Sequence, residues 1–403
     1  MKSRRISKLL STMAGLAVTA VAAPAFAQNS VTLYGIADNG FMYQSSASTL
    51  GSNSGGQSKF QIASGLWTPS RWGLKGSEDL GGGLKTIFQL ENGFSIDSGA
   101  ASQGGLEFGR IAIVGLSSDT YGTVTAGRNY TPYLLLLAPY GPSKWLSMHP
   151  GDVDGLDFTF HINNQLMYIS PKIAGFTFGA SYALGGVAGS LNQGSTWSTA
   201  LQYDNGPFGI GVGFFRVNNS TPGGGVYGTA STAYSAGQAS LSALTNGYQT
   251  AQAQQRFAIT SGYKFSDALD LEVSYSNVQY IPGINSSYRN TATFNTGGIL
   301  VHYKPTVAWD LEAGYAYTRA TKANGISDEA QYNQFNLTES YALSKATSVY
   351  AFEAYQRASG QTLGTNGAGD VISATASIGD YFQSSPSSSQ SQVGLIVGVI
   401  HRF

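Results

Sequence analysis

Residues 256–265 read Arg-Phe-Ala-Ile-Thr-Ser-Gly-Tyr-Lys-Phe, and polarity alternates along them. One parity carries the apolar and aromatic side chains Phe257, Ile259, Tyr263 and Phe265. The other carries the polar side chains Arg256, Thr260 and Lys264. Because successive side chains of a strand point to opposite faces, this period of two predicts a β-strand with one apolar and one polar face.

The same unit, about ten alternating residues followed by turn residues, recurs along the chain. It predicts an all-β protein with sixteen candidate strands. They span residues 31–43, 59–75, 84–94, 107–116, 122–129, 159–170, 176–184, 197–204, 208–217, 255–265, 269–280, 295–304, 309–318, 331–343, 347–356 and 391–403.

The connections between these strands alternate strictly in length. The short ones are 77–83, 117–121, 171–175, 205–207, 266–268, 305–308 and 344–346. The long ones are 44–58, 95–106, 130–158, 185–196, 218–254, 281–294, 319–330 and 357–390. An even strand count with short turns at one end and long loops at the other is typical of a transmembrane antiparallel β-barrel. The long loops are rich in Gly, Ser, Asn and Gln, so we expect them to be mobile and solvated.

The composition fits a wall with lipid on one side and water on the other. Among 403 residues only 11% are charged and 42% are hydrophobic, while Gly alone contributes 52. Cys is absent, which excludes disulfides and thiolate metal sites. After the amino-terminal segment no run of 18 apolar residues follows, so we expect strands rather than helices to cross the membrane.

The first 27 residues have the three parts of a secretory signal. Lys2, Arg4, Arg5 and Lys8 form a basic start, an Ala-rich apolar run follows, and residues 25–27 read Ala-Phe-Ala. We therefore predict a cleaved signal peptide over 1–27 and a barrel domain over 28–403. The alternative, a membrane anchor helix, is disfavoured because the apolar run is short and small residues crowd its end.

Four stretches carry a resemblance to a known family. Residues 30–38 read Ser-Val-Thr-Leu-Tyr-Gly-Ile-Ala-Asp, and 70–85 read Ser-Arg-Trp-Gly-Leu-Lys-Gly-Ser-Glu-Asp-Leu-Gly-Gly-Gly-Leu-Lys. Residues 122–130 read Gly-Thr-Val-Thr-Ala-Gly-Arg-Asn-Tyr, and the chain closes on His401, Arg402 and Phe403. Together they resemble the general diffusion porins of Gram-negative bacteria, in the beta-proteobacterial branch. The matches spread from residue 30 to 403 and so cover the whole mature chain.

The resemblance implies a fold and a function. It implies a sixteen-stranded barrel in the outer membrane, a homotrimer, and a third long loop that folds inward and narrows the channel. It implies passive diffusion of small hydrophilic solutes and ions, with outer-membrane lipid and lipopolysaccharide as surroundings. Phe403, after an alternating apolar strand, looks like the signal that the barrel-assembly machinery reads.

A diffusion channel needs fixed charges at its narrowest point, because these set ion preference. Parity places Arg71 and Lys75 opposite lipid-facing Trp72 and Leu74, and Arg110 opposite Ile111 and Ile113. An unpaired cation on the lipid face costs about 2–4 kcal/mol at mid-membrane, so we expect these cations to face the lumen. Arg71 and Arg110 resemble the family's arginine ladder. The other candidates for this basic wall are Lys75, Lys85 and Arg128; alternatively, the cations neutralise neighbours such as Glu91.

The acidic wall should come from the third long loop, 130–158, where Asp152, Asp154 and Asp157 are the candidates. Residues 134–137 are four leucines, which a segment packed against the barrel wall would explain. His161 stands where relatives often carry a further basic residue, and it is a possible pore residue. Its imidazole would titrate near neutrality.

Other classes of function leave no signature. Gly81–Gly83 with Lys85 precede no helix as a phosphate loop would, the four His residues show no metal spacing, and basic residues do not cluster for nucleic acid. We therefore expect no cofactor, no metal and no enzyme activity. A substrate-specific channel of the same fold remains the alternative, and a barrel lipase or a secreted adhesin is less well supported. Net charge does not decide between anions and cations.

Overall fold

A computed structural model describes residues 30–141, 149–157, 160–228, 231–232, 242–364, 369–379 and 386–403. The predicted signal peptide, 1–27, lies outside the described residues. Nearly all regular structure is β. The strands are β1 (Ser30–Ala47), β2 (Gln57–Ser64), β3 (Arg71–Gly81), β4 (Leu84–Gly93), β5 (Ile111–Ser118), β6 (Gly122–Asn129), β7 (Ile162–Ile169), β8 (Phe176–Ala183), β9 (Thr196–Asn205), β10 (Phe208–Asn218), β11 (Ala253–Lys264), β12 (Leu269–Ile281), β13 (Ala292–Tyr303), β14 (Trp309–Ala320), β15 (Gln331–Ala342), β16 (Thr347–Ser359), β17 (Gln361–Leu363), β18 (Val371–Ser373) and β19 (Ser391–Arg402).

Helical structure is confined to short pieces of the connections. These are Ser102–Gly105, Pro132–Leu137 and the 3₁₀ turns Ala138–Tyr140, Pro150–Asp152 and Asn246–Tyr248. Within the described ranges, no helix is both long enough and apolar enough to span a bilayer.

Consecutive strands pair antiparallel around one closed sheet, and β1 pairs with β19 to complete the ring. β2 and β3 both pair with β1, over its second and first halves respectively, so they are two pieces of one barrel strand. The barrel therefore has sixteen strands, as predicted. β17 and β18 form a separate hairpin in the last long loop.

The predicted alternation holds along β11. Phe257 and Tyr263 are exposed on its outer face, whereas Ala258 and Thr260 are fully buried on its inner face. In a barrel, exposure of aromatic side chains on the outer face means contact with lipid, and the inner parity faces the lumen or the loops inside it.

One predicted strand, 59–75, is broken. Residues 65–70 leave the sheet and turn inward, where the carboxylate of Asp38 accepts hydrogen bonds from the backbone N–H groups of Trp67 (2.6 Å) and Thr68 (2.7 Å). The hydroxyl of Tyr350 donates to the other oxygen of Asp38 at 2.6 Å. The break follows from Gly65, at φ +69, and Pro69, which cannot donate a ladder hydrogen bond.

The long loops are not all solvated, which corrects the expectation from their composition. The described parts of loop 5 (residues 219–252) and loop 8 (residues 360–390) pack into the barrel mouth. Leu244 and Tyr248 of loop 5 and Leu363 of loop 8 are buried in one apolar cluster. The backbone N–H of Gly151 donates to the Ser377 carbonyl of loop 8 at 3.1 Å. Glycine- and serine-rich loops pack here because a few large apolar residues anchor them to each other.

Candidate channel constriction

Loop 3 (residues 130–161) enters the barrel, and its first described part, 130–141, lies on the inner face of β8–β11. A row of glycines on β10 makes the seat. A Cβ atom added to Gly211 would lie 2.8 Å from the Leu136 carbonyl oxygen, and one added to Gly213 would lie 3.0 Å from Leu137. A Cβ at Gly209 would overlap the ring of Tyr140. Only glycine therefore lets the loop approach this closely.

The barrel wall also satisfies the backbone of the seated segment. The Ser198 hydroxyl accepts from the Tyr133 N–H at 3.0 Å, and the Thr260 hydroxyl donates to the Leu137 carbonyl at 2.9 Å. The Gln202 side chain donates to the Leu136 carbonyl at 3.2 Å. Because buried backbone groups need partners, these polar residues of β9 and β11 hold the helix Pro132–Leu137 in place.

The four leucines divide between two apolar clusters. Leu134 packs with Ile111, Tyr130 and Ala138 on one side of loop 3. Leu136 and Leu137 join the larger cluster that contains Val153, Leu156, Phe160 and Phe215. The hypothesis that residues 134–137 pack against the barrel wall is confirmed.

Arg71 and Lys75 lie on the inner parity of β3, as predicted. The Arg71 guanidinium donates to the Pro69 carbonyl (2.9 Å) and to the Thr68 hydroxyl (2.6 Å). The Lys75 ammonium lies 5.2 Å from the centre of the Tyr34 ring. Within the described parts of the chain, neither cation forms an ion pair. These two residues thus place positive charge on the lumen side of β3 without an ion-pair partner in the described ranges.

Arg110 differs from them because it is buried, with a relative exposure of 1%. Its Nε lies 2.7 Å from Oε1 of Glu91, and its Nη2 donates to the Tyr130 hydroxyl at 2.6 Å. Arg110 therefore does not line the open channel. It compensates Glu91 and ties the root of loop 3 to β4, which is the alternative weighed for the cations.

The face assignment behind Arg110 was also wrong. Ile111 pairs with inward-facing Glu91, so Ile111 and Ile113 face inward, while Val114 and Leu116 are exposed outside. Arg110 precedes β5 and reaches inward from irregular backbone. Alternation misled because loop 3 gives the inner face of β5 an apolar neighbour.

Lys85 lies away from the pair Arg71 and Lys75, and Arg128 is held by buried partners. Lys85 is exposed and in register with Asp79 near the short turn at Gly81, about 13 Å along the strand from Lys75. Arg128 is buried and donates to the Gly109 carbonyl at 2.7 Å and to the Asn163 side chain at 2.6 Å. Lys85 therefore lies toward the short turns, and Arg128 donates its hydrogen bonds to partners at the root of loop 3.

The three loop aspartates do not form an open acidic wall. Asp152 and Asp154 are buried, at 1% and 0% exposure. Oδ1 of Asp152 accepts the Asp157 N–H at 3.1 Å, which stabilises the turn of the loop. Oδ2 of Asp154 lies 2.6 Å from both His149 Nδ1 and the Ser276 hydroxyl. Only Asp157 retains partial exposure.

His161 is buried as well, one residue before β7. Its ring centre lies 4.5 Å from that of Tyr130, and its carbonyl accepts from Arg128 at 3.3 Å. The imidazole therefore packs behind the root of loop 3 and does not face the channel opening.

The acidic residues that sequence reasoning missed stand on the barrel wall. Asp270 and Glu272 of β12 and Asp310 and Glu312 of β14 share the inner parity. Between them, His302 places Nδ1 2.7 Å from Asp270 and Nε2 3.0 Å from Asp310. By strand order this band lies across the barrel from β3. Their alternation with lipid-facing leucines was the available signal.

A cavity of about 370 Å³ opens beside this acidic band. Tyr140 of loop 3 and Glu272 line one part of it, and Asp204 and Lys264 line another. The wall of this cavity therefore carries both signs of charge.

Phe403 closes the barrel at the short-turn end. Its N–H donates to the Gly35 carbonyl at 3.1 Å, and its carbonyl accepts from the Gly35 N–H at 2.9 Å. The ring lies over Gly35 on the outer face, where a Cβ on residue 35 would overlap it. Phe403 thus joins the last strand to the first.

Comparison with known proteins gives one family. A family model described as Gram-negative porin matches residues 14–361. An outer membrane porin protein of Bordetella pertussis is 32% identical over 230 residues, which cover 52% of this chain and 59% of that protein. Outer membrane porin protein 32 of Delftia acidovorans is 33% identical over 225 residues, covering 52% and 60%. The alignments thus span less than two thirds of these relatives.

Solved structures agree on the fold. An anion-selective porin from Comamonas acidovorans superposes with a TM-score of 0.67 at 24% identity, covering 93% of this chain and 100% of that one. The trimer form of OmpT from Vibrio cholerae gives 0.61 at 18% identity, covering 93% and 99%. At these identities the likeness is one of architecture.

Proposed function

This chain belongs to the Gram-negative porin family of the outer membrane, and we propose that it forms a water-filled channel for passive diffusion of small hydrophilic solutes and ions. The family and the fold are those of channels, and we propose no catalytic role. The observation that carries the proposal is the seating of loop 3 on the glycine row Gly209, Gly211 and Gly213, which narrows the barrel from inside. We also propose that residues 1–27 direct export and are removed, leaving 28–403.

A section that narrows the lumen needs fixed charges to act on solutes, and Arg71 and Lys75 supply them. Both cations lack ion pairs within the described residues, whereas Arg110 is compensated by Glu91. Charges farther away than a Debye length of about 8 Å are screened. We therefore propose that Arg71 and Lys75 give the narrow section a preference for anions. The solved structure from Comamonas acidovorans is described as anion-selective, which agrees with this.

The test is the reversal potential of purified protein in a planar bilayer under a KCl gradient. We expect the sign of an anion-preferring channel, and a shift toward cations in R71Q/K75Q. K85Q is the matched control, since Lys85 lies near the short turn and should leave the potential unchanged. A wild-type preference for cations would contradict the assignment.

We propose a homotrimer whose subunits meet through the apolar outer face of β1, β2 and β19. Phe41, Phe60, Ile62 and Val397 are between 50% and 65% exposed there. An exposed apolar patch of this kind is typically buried in a contact with a second copy of the chain. The Vibrio cholerae neighbour is described in a trimer form. Cross-linking of the wild type should give trimers, and I62E should reduce them, because a charge would be buried at the contact.

Assembly would involve two further partners. Phe403, exposed at the end of β19, is proposed as the signal that the barrel-assembly machinery reads. The outer surface is proposed to contact outer-membrane lipid and lipopolysaccharide.

One observation favours the second candidate, a substrate-specific channel. Loops 5 and 8 close over loop 3 and bury Tyr248, Tyr280 and Tyr288 in an aromatic cluster. A vestibule narrowed by these loops would restrict which solutes reach the narrow section. Conductance that saturates with salt, or block by one class of solute, would select this candidate over general diffusion.

A further inference from the structure

We propose that residues 65–70, here called the inner turn, narrow the channel from the wall opposite loop 3, and that Trp67 sets the size limit for solutes. The inner turn connects β2 to β3, at the point where the barrel sheet is interrupted. This inference rests on the proposed channel function and adds to it a residue that determines specificity by size.

The backbone of the inner turn is held by hydrogen bonds to the neighbouring wall. The N–H groups of Trp67 and Thr68 donate to the carboxylate of Asp38 on β1, at 2.6 and 2.7 Å. The Ser70 hydroxyl accepts from the Asp38 N–H at 3.0 Å and donates to the Asp38 carbonyl at 2.9 Å. The Ser70 carbonyl accepts from the N–H of Phe94 at 3.0 Å. Because its polar backbone groups are satisfied in this way, the inner turn is a fixed part of the wall.

Leu66 anchors the inner turn on the inner face of β1, β16 and β19. Its side chain is fully buried and packs with Met42, Tyr350 and Ile396. β1 makes room for it at Gly40, where an added Cβ atom would lie 3.2 Å from Cδ1 of Leu66. Glycine thus admits an inward segment here, as the glycine row of β10 does under loop 3.

Trp67 is the large side chain that the inner turn leaves at the lumen. Its ring lies 5.0 Å from the ring of Tyr350 in an edge-on arrangement. Tyr350 belongs to the inner parity of β16, and its hydroxyl donates to Asp38. Trp67 packs against the cluster of Leu66 but stays partly exposed. Since the ring lies inside the barrel, its exposed part faces the aqueous lumen.

The inner turn lies across the lumen from the seat of loop 3. The strands on either side of the turn, β2 and β3, both pair with β1. β10, which carries the glycine row, lies half-way round the ring of sixteen barrel strands from β1. A solute passes only through the space between the two inward elements, so the width of this space depends on both.

The two inward elements also enter the lumen at the same level of the barrel. Glu91 of β4 is in register with Gly73, which is close to the start of β3. Glu91 forms an ion pair with Arg110, and Arg110 donates to the hydroxyl of Tyr130, where loop 3 begins. These contacts connect the end of the inner turn to the start of loop 3. Trp67 and loop 3 therefore limit the same section of the channel.

The geometry of the inner turn makes width separable from charge. Nε of Arg71 donates to the Pro69 carbonyl at 2.9 Å, and Nη2 donates to the Thr68 hydroxyl at 2.6 Å. Neither partner belongs to the Trp67 side chain, so truncation of the ring leaves the guanidinium of Arg71 in place. A change at Trp67 should therefore alter the size limit without altering ion preference.

The test compares the purified, folded full barrel of W67A with the wild type and W72A. Trp72 is the matched control, because it lies on the outer parity of β3. We expect W67A to raise single-channel conductance in a planar bilayer by about 1.5-fold, since the narrowest section limits conductance. In liposome swelling, entry of disaccharides should rise relative to monosaccharides. The reversal potential should stay that of the wild type, and W72A should match the wild type throughout.

Two results would overturn the proposal: wild-type conductance and sugar selectivity in W67A, or the same increase in W72A, which would trace the effect to loss of any Trp. Either leaves the channel function standing, whereas a folded wild type that conducts no ions removes the channel function itself. Heat-modifiable mobility on a gel establishes that each variant is folded. If W67A does not fold, W67F carries the same test, because its smaller ring should give a smaller increase in the same direction.

Discussion

Nδ1 of His149 lies 2.6 Å from Oδ2 of Asp154, and both residues are buried. On the other side of the ring, Nε2 lies 3.0 Å from the hydroxyl of Ser274 on β12. His149 therefore connects the descending limb of loop 3 to the barrel wall. This contact attaches loop 3 to the barrel at a second place, in addition to the glycine row on β10.

The first prediction concerns the pH at which this contact fails. Burial raises the pKa of Asp154, but the facing imidazole and the hydrogen bonds from His149 and Ser276 outweigh it and hold the pKa below its ordinary value of 3.8. A carboxyl with a lowered folded-state pKa stabilises the fold above its unfolded pKa, and this is lost as pH falls through the folded value. Conductance should therefore stay constant from about pH 7 to 5 and change only below about pH 4.

In H149A the burial of Asp154 would be opposed only by the hydrogen bonds from Ser276 and the Leu156 backbone, so the pKa of Asp154 should rise and the transition should move to higher pH. Channel current recorded against pH measures this shift. H401Q is the control, since His401 is exposed on the outer face. A transition at the same pH in H149A and the wild type would contradict the role given to His149.

The second prediction tests the glycine seat. G211A places a Cβ 2.8 Å from a backbone oxygen of loop 3, so the loop must shift. Overpacking of this kind costs about 1–3 kcal/mol, and we expect lower thermal stability with altered single-channel conductance. G297A is matched to it, because a Cβ at Gly297 has no atom within 4 Å. If both variants behave as the wild type, loop 3 does not depend on this row.

The third prediction separates two arginines that look alike in sequence. R110Q leaves Glu91 buried without its ion-pair partner, and breaking such a pair costs about 3–5 kcal/mol of the free energy of unfolding. R71Q removes a cation that has no ion pair in the described structure. We expect R110Q to lower the free energy of unfolding with little change in ion preference. We expect R71Q to change ion preference with little effect on the free energy of unfolding. Urea unfolding in lipid vesicles and the reversal potential measure the two effects.

The fourth prediction concerns the carboxy terminus. F403A removes the ring that covers Gly35 where β19 meets β1. If Phe403 is the assembly signal, the variant should accumulate less in the outer membrane than F208A, which removes an exposed aromatic residue at the same end. Equal outer-membrane yields of F403A and F208A would contradict the role of Phe403 as the assembly signal.

The fold could be predicted from the sequence because each barrel strand reports its own two faces. The range 269–280 became β12 at Leu269–Ile281, since lipid and lumen impose opposite polarity on alternate residues. The prediction failed where a side chain faces another segment of the protein instead of lipid or water. Ile111 faces inward because loop 3 replaces water there, and no local pattern reveals a loop that returns from 20 residues away.

The candidate site was harder to predict for the same reason. Arg71 and Lys75 face the lumen, so the alternation of polarity along the strand was enough to place them. Asp154 has His149 and Ser276 as neighbours, and the latter contact spans 122 positions of sequence. A charged residue in a loop is exposed to solvent only when no other segment of the chain packs over it.

The central claim is that the seated loop leaves an open aqueous channel. Single-channel conductance of the purified protein in a planar bilayer tests this most directly. We predict discrete steps whose size rises nearly linearly with KCl concentration. Protein that is folded by heat-modifiable mobility and inserted in the bilayer, yet conducts no ions, would contradict the account.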